Sequence, residues 1–105
     1  AAAERMYREI FEVTQEHAPT AQHLARLLIQ RHADVPGALQ VLKKAEAKVP
    51  ADEAGGALRA ELALMLAGQG QRDEGREMLK KAQTNLAGNK DHLGLLEEAE
   101  SALET

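Results

Sequence analysis

The chain has 105 residues, with 13 Lys and Arg against 17 Asp and Glu and a formal net charge of −4 at pH 7. That length supports one domain with little margin of buried surface. The 44% of apolar residues excludes a disordered chain, and the acidic balance argues against a phosphate-binding surface and so against nucleic acid as partner. There are no cysteines, which removes disulfides, thiolate metal sites and thiol catalysis. No stretch approaches the roughly 20 apolar residues that span a bilayer, so no membrane insertion is expected. The opening Ala1-Ala2-Ala3, without Met or a signal-peptide core, reads as the start of a fragment, and the compartment is left open.

Ala, Leu, Glu, Lys, Gln and Arg dominate, all strong helix formers, and β-branched residues are few. The class is therefore all-α. Tyr7 and Phe11 are the only aromatic residues, so the core must be built from aliphatic side chains. Apolar spacing and stop signals predict about six helices. The first runs from about Ala2 to His17, with Met6, Tyr7, Ile10, Phe11 and Val13 as its apolar side. The second covers about 20–32 and is capped by Thr20. The third starts after Asp34, with Pro36 in its first turn, and runs to about Lys48 before Pro50 stops it. Asp52 caps the fourth, which reaches about Ala67 with a first turn weakened by Gly55 and Gly56. The fifth spans about Arg72 to Leu86 between Gly70 and Gly88, and Asn89 caps the sixth. Short linkers make antiparallel neighbours, so the chain reads as a row of helical hairpins. The charge is uneven, because residues 90–105 hold Lys90 against five acids and everything before them sums to zero.

An internal repeat appears at an offset of 37 residues. Leu42-Lys43-Lys44-Ala45 recurs as Leu79-Lys80-Lys81-Ala82, and Leu27, Leu28 and Ile29 align with Leu64, Met65 and Leu66. Val41 meets Met78 and Val49 meets Leu86 in the same frame. A small residue, a large one four on, then Ala and then Pro are supplied by Ala38, Leu42, Ala45 and Pro50, and in part by Gly75, Leu79 and Ala82. This pattern resembles the tetratricopeptide repeat. The chain departs from it at Gln22, Arg26, Ala33 and Ala87, which stand where an aromatic, a small residue, Gly and Pro are usual. The resemblance implies a right-handed solenoid fragment of stacked antiparallel hairpins within one domain, 1–105. It divides into a half-repeat helix (1–18), two repeats (19–52 and 53–89) and a capping or partial-repeat helix (90–105).

Site chemistry finds little support. His17, His23, His32 and His92 lack metal-ligand spacing, and no Gly-rich phosphate loop or buried carboxylate pair is evident. No catalytic residue, metal or cofactor is expected, and the chain does not read as an enzyme. Leu27 lies roughly 130° from the centre of its helix's apolar stripe, taking about 100° per residue, and Leu64 is displaced likewise. The resemblance implies that this position faces a concave groove. The expected partner-binding surface is accordingly His23, Leu27, Gln30 and Arg31 with Ala60, Leu64 and Ala67, on a non-catalytic scaffold for a protein or peptide partner. The alternative is self-association into a homo-oligomer, with Tyr7, Phe11, Leu93 or Leu96 completing a neighbour's core.

Overall fold

Strong helix formers between capping residues produce the elements. The computed structural model describes residues 2–104 and contains six α-helices and no strand among them. They are α1 (Ala2–Val13), α2 (Ala18–His32), α3 (Val35–Glu46), α4 (Glu53–Gly68), α5 (Arg72–Asn85) and α6 (Leu93–Glu104). No helix among the described residues is long and apolar enough to cross a membrane. The chain divides after Pro50 into two compact units.

Several helix ends follow the sequence reading. Asp34 accepts the Gly37 N–H at 2.9 Å and Asp52 accepts the Gly55 N–H at 2.9 Å, each satisfying one of the orphan donors of a first turn. Ala33 has φ 50° and Gly70 has φ 78°, so residues 37 apart close α2 and α4 in the left-handed region. The left-handed residue or the one after it bonds back to a helix carbonyl: the Ala33 N–H to Ile29 at 3.0 Å and the Gln71 N–H to Leu66 at 2.9 Å. That is the bonding that ends a helix on a left-handed residue.

Other boundaries differ. The first helix stops at Val13 rather than His17, and the Thr14 hydroxyl turns back to the Ile10 carbonyl at 2.9 Å. The second begins at Ala18, so Thr20 is not its cap. Pro19 sits in the first turn, where a missing N–H is harmless. Thr20 is buried, and its hydroxyl pairs with His17 Nδ1 at 2.7 Å. Asn89 does not cap the sixth helix either, since its side chain accepts the Asp91 N–H at 2.9 Å in a local turn ahead of Leu93.

In the first unit α2 packs against both α1 and α3. Phe11, Leu24, Leu28, Ala38 and Leu42 are buried. In the second, α4 packs against α5 and α6, which also touch each other. Gly55 and Gly56, expected to loosen the start of the fourth helix, are buried instead. A Cβ on Gly56 would lie 2.8 Å from both Asn85 Cβ and Leu86 Cγ, so glycine here permits the α4–α5 approach. Gly75 plays a related part, because a Cβ there would lie 3.0 Å from Leu103 Cδ2 and 3.2 Å from the Ala63 carbonyl. Arg59 is buried nearby in sequence and donates to Asn85 Oδ1 at 2.6 Å, tying α4 to the last residue of α5.

Candidate protein-binding surface

The residues expected to line a groove fall on α2 in the first unit and α4 in the second. On α2, His23, Gln30 and Arg31 are exposed and Leu27 is half-buried. His23 is held in place from the side: its ring stacks on Tyr7 of α1, with centroids 5.4 Å apart and planes 18° from parallel. Offset stacking of this kind adds modestly to area burial. α2 carries no carboxylate, and the whole stretch 17–33 has none, although it holds Arg26, Arg31 and three histidines. In a chain of net charge −4, counted with neutral histidines, this stretch carries a formal charge of +2.

The α4 positions behave differently. Ala60 is fully buried, in a cluster with Ala63, Leu79, Ala82, Leu86, Leu96, Ala99 and Leu103, and so offers a partner no surface. Leu64 and Ala67 are half-buried and pack against the same cluster. The displacement of Leu64 from the α4 stripe thus has a structural account, since α6 supplies three residues of the cluster it packs against. The small side chains at Ala60 and Ala63 are what allow α6 to approach so closely.

The apolar face assigned to the first helix is also split. Phe11 is buried and Tyr7 half-buried, but Met6, Ile10 and Val13 are 52%, 39% and 81% exposed. Their spacing of four and three residues marks a second stripe, offset from the one that meets α2. Of the four side chains expected to complete a neighbour's core, Phe11 and Leu96 are buried and Tyr7 is engaged with His23. Leu93 alone is largely open, at 50% exposure.

A groove of about 370 Å³ lies between α1 and α3 over α2, with Phe11, Leu24, Leu28 and Val41 beneath and Arg8 and Lys44 among its polar edges. Sequence reading did not anticipate it. The signal available was weak, namely that Leu24 and Leu28 serve two flanking helices that do not meet each other. A shallower apolar hollow of about 330 Å³ lies in the second unit against Leu86, Leu93 and Leu96.

Electrostatic ties connect helices within each unit. His32 Nε2 donates to Glu4 Oε1 at 2.8 Å, and Arg8 Nε donates to Glu4 Oε2 at 3.3 Å. The His32 hydrogen bond, aided by Arg8, holds the Glu4 carboxyl below its ordinary value. In the second unit His92 Nε2 donates to Glu53 Oε1 at 3.2 Å. Among the described residues no group of three or more His, Asp or Glu side chains is gathered in a way that could hold a metal ion. Comparison with protein-family models, curated proteins and solved structures returned no significant match for the chain.

Proposed function

We propose that the chain is a tetratricopeptide-like, non-catalytic interaction module that binds a segment of a protein partner along the open side of α2. The observation that carries this reading is the contrast between equivalent positions. His23, Arg26 and Gln30 on α2 are exposed, whereas Ala60, Ala63 and Ala67, 37 residues later on α4, are buried or half-buried. An exposed helical side with one half-buried leucine among adaptable polar groups suits recognition of an extended or helical segment, with Leu27 as anchor and the polar groups setting specificity. The repeat frame lends support. Ala38 and Gly75, Leu42 and Leu79, Ala45 and Ala82, and Val49 and Leu86 are matched pairs whose members are all buried. A stack of such units leaves one side of its first helices available to a ligand.

A photo-cross-linking residue introduced at Gln30, compared with one at the exposed Lys43 of α3, tests the assignment. The expected result is cross-linking of a discrete partner from position 30 and not from position 43. Equal labelling from both positions, or from position 43 alone, would reject α2 as the binding side.

A further inference from the structure

We propose that a second copy of this chain occupies the open side of α2, presenting the outer face of its α6. This rests on the reading of α2 as the binding side and names its occupant.

The argument is one of complementarity. α6 contains no Lys or Arg and four glutamates. Taking about 100° per residue, Leu93, Glu97, Glu98, Ser101 and Glu104 share one outward face, and all five are exposed. The opposite face, with Leu96, Ala99 and Leu103, is already committed to the core of its own unit. The outward face is thus an acidic helix surface with a single large apolar residue. α2 presents the converse: no carboxylate, exposed Arg31 and His23, and half-buried Leu27. The spacing matches as well, since Leu27 precedes Arg31 by four residues and Leu93 precedes Glu97 by four. Two helices running the same way can therefore seat Leu93 on Leu27 and, one turn further along, Glu97 beside Arg31. Charge is distributed to favour the pairing, because residues 1–50 hold seven Lys and Arg against six acids while residues 51–105 hold six against eleven. The contact joins two different faces, so it is heterologous.

Sedimentation equilibrium over a concentration series tests this on the wild-type chain and two double variants, Gln30→Glu with Arg31→Glu and Glu97→Lys with Glu98→Lys. Wild type is expected to associate in low salt and to weaken on the order of tenfold in high salt. Each double variant alone should be monomeric, with helicity retained by circular dichroism. Mixing the two should restore association, because reversed α2 then meets reversed α6. A wild-type chain that stays monomeric in low salt up to about 1 mM overturns the proposal, since contacts weaker than that have little standing in solution. So does association that is indifferent to salt and to both reversals but lost in Met6→Glu with Ile10→Glu, which would place the contact on α1. The salt series needs no variant and decides the matter if either one misfolds. A cross-link from Gln30 to a different protein, alongside a monomeric chain, would retain α2 as the binding side while removing the second copy.

Discussion

α2 and α4 superpose in sequence at the 37-residue offset, with Ala21 on Leu58, Ala25 on Leu62, Leu27 on Leu64 and Ala33 on Gly70. The inward positions behave alike: Ala21, Ala25, Leu58 and Leu62 are all buried. The outward positions do not. Where α2 has His23, Arg26 and Gln30 in solvent, α4 has Ala60 and Ala63 buried, and Ala67 half-buried, against a cluster that α5 and α6 complete. One repeat frame can therefore serve two purposes, and the size and polarity of three residues decide which. Small apolar residues let another helix of the chain close over α4, while large polar ones keep the matching side of α2 open.

Exchanging the two chemistries should have the largest effect. Ala63→Arg, which gives α4 the residue that α2 has, forces a guanidinium into a site with no exposed surface beside Gly75 and Leu103. The expected cost in urea unfolding is about 3 kcal/mol or more. The reciprocal Arg26→Ala, at an exposed position, should cost no more than about 1 kcal/mol. Comparable melts for the two variants would mean that α6 does not close over α4 as described.

The helix starts give a second contrast. Gly56 is equivalent to Pro19, and Gly56→Ala should destabilise by about 1–3 kcal/mol through overpacking against Asn85 and Leu86. That outweighs the roughly 1 kcal/mol of helix propensity that alanine adds. Pro19→Ala, at an exposed first-turn position, should change stability by less than about 0.5 kcal/mol. A net stabilisation from Gly56→Ala would show that α4 and α5 have room to spare at this point.

The helix ends provide a third contrast, with opposite signs. Ala33 holds a left-handed conformation that costs an L-residue roughly 1–2 kcal/mol, whereas Gly70 holds the same conformation without a Cβ to strain. Ala33→Gly should therefore stabilise by about 0.5–1 kcal/mol, the relief of strain exceeding the added freedom of the unfolded chain. Gly70→Ala should destabilise by about 1 kcal/mol, even though nothing lies within 4 Å of the added methyl. Differential scanning calorimetry showing the same sign for both would remove the equivalence of the two helix ends.

The class, the number of helices and the caps at Asp34 and Asp52 were legible because each depends on local chemistry. The left-handed residue at position 33 was partly legible too: the repeat frame put Ala33 where Gly is expected. Boundaries at Thr14 and Asn89 were missed because Ser, Thr and Asn side chains can satisfy backbone groups in turns as readily as in caps. The burial of Gly55 and Gly56 was invisible for another reason, since glycine's low propensity says nothing of what lies beside it. At the candidate surface, periodicity placed Leu27 and Leu64 off their stripes, and both are half-buried. It could not show that α6 covers Ala60, because a buried alanine and an open groove floor have the same pattern. The stripe at Met6, Ile10 and Val13 misled similarly: on a strongly amphipathic helix, hydrophobic periodicity does not say which apolar residues have a partner.

The smallest expected effect separates the histidine ties of the two units. In the first, the 2.8 Å hydrogen bond from His32 and the bond from Arg8 favour the ionised form of Glu4 and lower its folded value. Unfolding removes both donors and returns the carboxyl to its ordinary range, so the unfolded chain takes up a proton first as pH falls. The contribution is fully present above the ordinary glutamate value of 4.5 and disappears as pH drops through the lower folded value. Glu4→Gln should accordingly lower the melting temperature at pH 7, with the deficit shrinking toward zero in acid. The tie lies at the surface, where salt screens it, so the deficit should also shrink at high ionic strength. Glu53→Gln tests the longer 3.2 Å contact to His92. With weaker geometry and no second donor among the bonds described, its loss should cost less than that of Glu4. Melts of both variants across pH 3 to 7 and two salt concentrations check the order. A deficit for Glu4→Gln that persists unchanged in acid would show that its side chain acts through packing rather than charge.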